Sequence, residues 1–178
     1  MKYELNKLDL NILSKSSNVV IRKYLDNCLD ILSFNSVPFI ILSASCIGDD
    51  SIISCMNYKK LNFDIVDIVS NKFIWDEKGF AKHLIKPHIH TFNKSGISIK
   101  NNINIFTKIR TRKNIILIGD SLGDCHMADG LEYNNILKIG FLNSDVETKL
   151  ETYKKHFDVV ITNDSDFSFI YDLLKELK

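Results

Sequence analysis

The sequence predicts an α/β fold built on a parallel sheet. Five short apolar segments alternate with longer segments of helical periodicity, and strands that alternate with helices form parallel sheets with right-handed crossovers. The best defined segment, residues 115–118, has four consecutive aliphatic residues, as expected for a strand that is covered on both faces. The other predicted strands are residues 38–42, 64–69, 136–139 and 159–161.

The segments between these strands predict helices. Residues 16–18 are suitable N-caps for a helix whose apolar positions recur at helical spacing, namely Val20, Tyr24, Leu25, Cys28, Leu29 and Leu32. A short helix is expected around residues 52–56, and a closing helix around residues 169–177. Residues 72–83 are predicted to form a hairpin or an irregular excursion.

Composition limits the possible classes of function and leaves small-molecule chemistry open. The 178 residues, 45% of them hydrophobic, can fill one substantial core. The 23 Lys and Arg residues nearly balance 22 Asp and Glu residues, which argues against binding to nucleic acid or to a membrane surface. The four cysteines form no CxxC pair, so they are interpreted as thiols in a reducing, cytoplasmic compartment. No signal peptide or membrane-spanning segment is expected.

Two acids follow the predicted strand at residues 115–118. Gly119 allows a sharp turn, and Asp120 and Asp124 then lie at the carboxyl edge of the sheet, where α/β proteins bind their ligands. Carboxylate oxygens at this position can bind Mg²⁺, which takes one or two protein carboxylates together with water and substrate phosphate oxygens. The alternative is that Asp120 only starts a turn and Asp124 only caps the next helix.

The residues around these acids resemble one family. GDSLGDCHMADG, residues 119–130, is similar to the metal-binding motif of the cytosolic pyrimidine 5'-nucleotidases, within the haloacid dehalogenase superfamily. VPFIILSASCIGD (37–49) and IHTFNKSG (89–96) resemble the second motif and the lysine motif of that family. The segments 136–143 and 157–167 also fit, so the resemblance extends from about residue 16 to the end of the chain.

The resemblance implies a three-layer, Rossmann-like fold and Mg²⁺-dependent hydrolysis of a nucleoside 5'-monophosphate, preferably a pyrimidine nucleotide. It implies that Asp120 ligates the metal directly and that Asp124 supports it. Ser43 and Ala44 would contact the phosphate group. Lys94 would bind the phosphate and a catalytic carboxylate, a role that suits a compact ammonium group on a flexible stem. Ser43, Lys94 and Asp120 are therefore expected to converge on one cleft.

One departure from the family pattern affects the phosphate loop. This chain has SASCIGD where the family usually has SAGIGD, so the loop contains one additional residue. Ser45 therefore competes with Ser43 for the contact with phosphate.

The nucleophile motif of the superfamily is absent from the sequence. A DxDxT-type motif is expected on the first core strand, and the nearest candidate is Asp9 in LDLNI. That segment has Asn11 in place of the acid/base residue and lies too close to Ser43 for a cap domain between them. Residues 1–36 are therefore predicted to be a helical remnant of the cap, and residues 37–178 to be a core without its first strand.

Two other functions remain open at this point. One alternative is a truncated or inactive family member that binds a nucleotide or a partner without turnover. The other is a phosphatase for another small phosphate ester, such as a phosphoserine-type substrate. No nucleic-acid or membrane partner is expected under any of these interpretations, and the motifs do not identify the nucleotide base.

Overall fold

The computed structural model describes residues 5–16 and 19–177. The chain divides into two compact units, Met1–His90 with Phe167–Lys178 (the first unit) and Thr91–Asp166 (the second unit). The predicted boundary between residues 36 and 37 concerns which residues derive from a cap, and it stays a prediction.

Helices and strands alternate along most of the chain. The helices are α1 Lys7–Ser14, α2 Leu25–Phe34, α3 Gly48–Tyr58, α4 Gly96–Lys100, α5 Ile103–Ile109, α6 Val146–Lys154 and α7 Ser168–Glu176, with a 3₁₀ helix at Leu122–His126. The strands are β1 Phe39–Leu42, β2 Val66–Val69, β3 Phe73–Trp75, β4 Ala81–Leu84, β5 Asn114–Gly119, β6 Asn135–Leu142 and β7 Val159–Thr162. No helix in the described part of the chain is long and apolar enough to cross a membrane.

The first unit combines a parallel pair of strands with an antiparallel hairpin. β1 and β2 are parallel, with Phe39 opposite Val66 and Leu42 opposite Val69, and β3 pairs with β4 in the antiparallel sense. α1 packs on α3, and α2 packs on α7. The buried apolar side chains of this unit belong to Leu10, Cys28, Leu29, Leu32, Leu42, Met56, Val69, Ile170 and Leu174.

The second unit is built on a parallel sheet with the strand order β5-β6-β7. Its core cluster consists of Leu117, Cys125, Ala128, Leu142, Tyr153 and Phe157. Gly140 is needed in β6 because a Cβ atom there would lie 2.7 Å from the Phe157 ring, well inside the normal separation of packed carbon atoms. The absence of a side chain at this position thus lets Phe157 cover the sheet.

The predicted parallel α/β architecture is confirmed. The predicted strand at residues 115–118 is β5, which is one residue longer at each end. The strand predicted at residues 136–139 is β6, which continues to Leu142 because the residues from Ile139 onward are buried. The excursion at residues 72–83 contains the hairpin of β3 and β4.

The parallel strands belong to two sheets rather than to one continuous sheet. In the described part of the chain, β1 is hydrogen-bonded only to β2, and β5 only to β6. Each of these strands therefore has one edge without a strand partner among the described residues. Residues 5–16 supply no substitute strand, because they form α1 and its flanks.

The helix predicted to follow residues 16–18 begins later than expected. α2 begins at Leu25, and Val20 lies outside it with 78% of its surface exposed. The cause is Tyr24, whose φ of 67° is left-handed and interrupts any right-handed helix that approaches from the N-terminal side. Of the predicted cap residues, 17 and 18 lie outside the described residues.

Helix α1 was not among the predicted elements, and it determines the role of Asp9. Asn6 is its N-cap, and the Asn6 side chain accepts a hydrogen bond from the N–H of Leu8 at 2.9 Å. Oδ2 of Asp9 accepts from the N–H of Asn6 at 2.9 Å and completes a capping box. Asp9 therefore stabilises a helix start and does not lie on a strand, as a haloacid-dehalogenase nucleophile would.

The core of the second unit can be tested with two matched substitutions. Ile139→Ala is expected to lower the free energy of unfolding by about 2–5 kcal/mol, because it removes a large side chain from a well packed site. Ile139 has 0% of its surface exposed, whereas Ile103 on α5 is 75% exposed. Ile103→Ala should therefore have little effect. Urea unfolding of both variants is the measurement, and equal losses would contradict the placement of this core.

Candidate active site

The candidate site of the second unit is the loop that follows β5. This loop contains Asp120, Ser121 and the 3₁₀ helix, and it follows Gly119, the last residue of β5. A Cβ atom at Gly119 would collide with the side chain of Asp124. The glycine therefore allows the chain to fold back tightly enough for Asp124 to reach the start of its own loop.

Asp124 is a buried carboxylate, and both of its oxygens are hydrogen-bonded, one to backbone N–H groups of the loop and the other to a lysine. It is only 4% exposed. Its Oδ2 accepts the N–H groups of Asp120 at 3.0 Å and Ser121 at 3.1 Å, and its Oδ1 lies 2.6 Å from Nζ of Lys94. Burial by itself raises the pKa of Asp124, but the hydrogen bond and charge of Lys94, with the two backbone N–H groups, outweigh it and hold this pKa below its usual value.

Asp120 has the opposite environment from Asp124. The residue is exposed, while its backbone is fixed on both sides. Its N–H donates to Asp124, and its carbonyl oxygen accepts a hydrogen bond from the Tyr153 hydroxyl at 2.8 Å. The loop therefore presents one carboxylate to solvent from a rigid backbone and keeps the other inside as a support.

Ser43 lies directly after β1, in the first unit. Its N–H donates to the carbonyl of Val69 at 2.9 Å and thereby continues the pairing of β1 with β2. Its Oγ accepts the N–H of Ser45 at 3.2 Å, and Oγ of Ser45 accepts the N–H of Ile47 at 3.3 Å. These bonds fold residues 43–47 into a compact turn that contains Ala44.

Asn71 holds this turn, and the sequence analysis missed it. Its side-chain N–H groups donate to the carbonyls of Ser45 at 3.1 Å and Ile89 at 2.9 Å, and its Oδ1 accepts the N–H of Ile89 at 2.8 Å. Its backbone carbonyl accepts the N–H of Asp49 at 2.9 Å. A signal was available, because Asn71 follows β2 at the same carboxyl edge as Ser43. Tyr153 was missed as well, and its position on α6 gave no comparable signal.

The structure brings some of the predicted site residues together within one unit. Lys94 and Asp124 form an ion pair, and Asp124 binds the backbone of Asp120. Ser43 and Ala44 belong to the first unit and these three residues to the second. The convergence of both sets on one cleft stays a prediction, as do their individual roles.

The donor set is compatible with Mg²⁺ through a single direct ligand. Among residues 5–16 and 19–177, no three His, Cys, Asp or Glu side chains are grouped so that they would hold a metal ion. Mg²⁺ does not require such a cage, because it retains water and takes one or two carboxylates with substrate phosphate oxygens. The exposed carboxylate of Asp120 fits this requirement, while the oxygens of Asp124 are already bonded.

The ion pair between Asp124 and Lys94 should stabilise the fold in a pH-dependent way. Asp124→Asn is expected to lower the free energy of unfolding at pH 7 by about 3 kcal/mol, because the partly buried Lys94 is then left without its counter-charge. Since the folded-state pKa of Asp124 lies below its unfolded value, the stabilisation is complete above about pH 4 and disappears as the pH falls through the folded-state pKa.

Urea unfolding of wild type and variant between pH 7 and pH 3 measures this difference, which should shrink at the acidic end. Asp145→Asn is the matched control. Asp145 lies 2.7 Å from Lys149, but both side chains are more than half exposed, so its replacement should change little. A loss in the control as large as that in Asp124→Asn would contradict the buried-pair interpretation.

Comparisons with known proteins place the chain in a family. A family model described as pyrimidine 5'-nucleotidase (UMPH-1) matches residues 1–178. The 7-methylguanosine phosphate-specific 5'-nucleotidase of Rattus norvegicus is 39% identical over 164 residues, which cover 90% of this chain and 53% of that protein. The Homo sapiens protein of the same name is 34% identical over 177 residues, 98% of this chain and 57% of its own length. The chain thus spans about half the length of these relatives.

Solved structures agree with this assignment. The crystal structure of cytosolic 5'-nucleotidase IIIB bound to cytidine matches with a TM-score of 0.83 and 25% identity, over 99% of this chain and 61% of that chain. A phosphoserine phosphohydrolase-like protein from Francisella tularensis matches in fold alone, with a TM-score of 0.58 and 16% identity over 94% of this chain and 70% of that one. The predicted haloacid-dehalogenase-like fold is confirmed, and the chain belongs to the pyrimidine 5'-nucleotidase family.

Proposed function

We propose that the chain carries the phosphate-binding and metal-binding part of a Mg²⁺-dependent 5'-nucleotidase of the cytoplasm. The reaction is hydrolysis of a nucleoside 5'-monophosphate to nucleoside and phosphate. The observation that supports this most strongly is the loop after β5, where the buried Asp124, paired with Lys94, holds the backbone of the exposed Asp120. In a family of 5'-nucleotidases, a loop of this kind is expected to take part in phosphoryl transfer.

Asp120, Asp124 and Lys94 have distinct roles in this proposal. Asp120 holds Mg²⁺ directly, and Asp124 supports it by fixing the backbone and by keeping Lys94 in place. The bound ion supplies positive charge that offsets the negative charge on the phosphoryl oxygens. Lys94 adds a second positive charge, and its ammonium group has further N–H donors beyond the one bonded to Asp124.

Ser43 is the proposed phosphate contact in the first unit, together with the backbone of Ala44. The hydrogen bond from the Ser45 N–H uses a lone pair of the Ser43 hydroxyl and not its proton, so the hydroxyl can still donate to a phosphate oxygen. Ser45 is held at two points within the turn, because its hydroxyl accepts from Ile47 and its carbonyl accepts from Asn71. Ser43 is the better candidate because it directly follows β1, at the strand end where α/β proteins bind their ligands, whereas Ser45 lies two residues further along the turn.

Pyrimidine nucleoside monophosphates are the proposed substrates, and 7-methylguanosine 5'-monophosphate is the second candidate. The family description and the cytidine-bound structure favour the first. The names of relatives that are 34–39% identical favour the second. Ser43, Lys94 and Asp120 would contact only the phosphate and metal end of either substrate, so both candidates fit the same residues.

The part of the chain that the structure describes has no DxDxT-type motif on a strand, where the superfamily is expected to carry its nucleophile. Among the described residues, Asp9 of the sequence LDLNI is engaged in a helix cap. We therefore propose that this chain binds the phosphate group but does not hydrolyse the ester by itself. The alternative of a family member that binds without turnover makes the same prediction for the isolated chain, and only a longer form with a DxDxT-type strand would distinguish the two.

Phosphate binding can be tested with two serines of the same turn. Ser43→Ala is expected to weaken binding of CMP and of inorganic phosphate about tenfold, which corresponds to one hydrogen bond to a charged group. Ser45→Ala should have a smaller effect, because Ser45 does not lie directly at the end of β1. Isothermal titration calorimetry with Mg²⁺ present measures both. A larger loss in Ser45→Ala would transfer the role to Ser45, and equal binding by all forms would reject the phosphate site.

Turnover can be tested directly on the 178-residue chain. With CMP, UMP or 7-methylguanosine 5'-monophosphate and Mg²⁺, phosphate release should not exceed that of the Asp120→Asn variant. The reason is that Asp9, the nearest match to the nucleophile motif, is engaged in a helix cap and does not lie on a strand. Robust release that is lost in both Asp120→Asn and Asp9→Asn would refute this proposal and identify Asp9 as the nucleophile.

A further inference from the structure

We propose that Tyr153 is a positioning residue for Asp120, and that its hydroxyl group sets the affinity of the loop after β5 for a divalent cation. The inference rests on the proposed metal-binding role of Asp120. It adds a residue that no motif of the sequence indicated and that lies on α6, outside the loop itself.

Asp124 and Tyr153 hold the two peptide groups that flank the Cα atom of Asp120. On the N-terminal side, the N–H of Asp120 donates to Oδ2 of Asp124 at 3.0 Å. On the C-terminal side, the carbonyl oxygen of Asp120 accepts from the hydroxyl of Tyr153 at 2.8 Å. The C-terminal group is held by both residues, because the N–H of Ser121 also donates to Oδ2 of Asp124 at 3.1 Å. Tyr153 is 7% exposed, so most of its side chain is removed from water.

The Tyr153 side chain has two separable functions. Its ring belongs to the core cluster and stacks on Phe157, with centroids 5.5 Å apart. Its hydroxyl lies at the edge of that core and reaches the loop. Burial, and the charges of Asp120 and Asp124, raise the pKa of this hydroxyl, which keeps it protonated and therefore a donor. A Tyr153→Phe substitution removes the second function and leaves the first in place.

The hydrogen bond matters because Asp120 is exposed and would be the only direct protein ligand of the ion. A site with one carboxylate binds weakly, and its affinity is sensitive to how much the ligand must be ordered on binding. A fixed backbone restricts the carboxylate to fewer directions before the ion arrives. Partners of metal ligands typically change metal affinity by about 10–100-fold when they are removed.

The test is a Mg²⁺ titration of the ¹⁵N-labelled chain, followed by NMR at the backbone amides of Asp120 and Ser121. Tyr153→Phe is expected to weaken the Mg²⁺ affinity about tenfold. Tyr133→Phe is the matched control, because Tyr133 lies in the same unit on the segment before β6 and is exposed. Its affinity should equal that of the wild type. Asp120→Asn provides the reference for loss of the direct ligand, and thermal unfolding without Mg²⁺ shows whether each variant is folded.

The outcomes separate this inference from the function on which it rests. If the wild type binds Mg²⁺ and Tyr153→Phe binds it with the same affinity, the role of Tyr153 alone is overturned. A wild-type chain whose Asp120 and Ser121 amides do not respond to Mg²⁺ would overturn the metal role of Asp120 and this inference with it. If Tyr153→Phe does not fold, the wild-type Tyr153 ring resonances decide. With increasing Mg²⁺, the Tyr153 ring resonances must shift with the same midpoint as the Asp120 amide, and the Tyr133 ring resonances must not shift. Tyr153 ring resonances that do not change with Mg²⁺ would overturn the inference.

Discussion

The arrangement of the candidate site depends on the burial of one carboxylate, that of Asp124. A charge removed from water must be met by an opposite charge and by hydrogen bonds, and here Lys94 and the N–H groups of Asp120 and Ser121 supply them. These bonds draw the loop into a tight turn, which is possible because Gly119 has no side chain. With Asp124 turned inward, Asp120 is the acid that remains exposed to solvent.

A similar use of buried polar groups occurs in both units. Asn71 is a buried amide that binds the turn after β1, and Tyr153 is a buried phenol that binds the turn after β5. In each case the residue comes from another element and bonds a backbone carbonyl of the turn. Loops at strand ends have few packing contacts of their own, so such bonds give them the rigidity that phosphate and metal recognition requires.

The residues of the proposed site would recognise the part of the substrate that all nucleoside monophosphates share. A serine hydroxyl, an ammonium group and a metal-binding carboxylate all interact with phosphate oxygens and are indifferent to the base. Such contacts would be compatible both with a family described by pyrimidine nucleotides and with relatives named for 7-methylguanosine phosphate. Discrimination between bases has to come from side chains other than Ser43, Lys94 and Asp120.

The sequence by itself determined the strands and the loop that follows β5, because aliphatic runs and a Gly-Asp turn are local signals. It did not determine which acid would face inward, since that depends on Lys94, 30 residues before Asp124. The bond from Tyr153 spans 33 residues and depends on how α6 packs. The start of α2 was equally out of reach, because the left-handed Tyr24 stacks on Tyr171 near the other end of the chain. Tertiary structure alone decided these features, since packing between distant elements overrides local spacing.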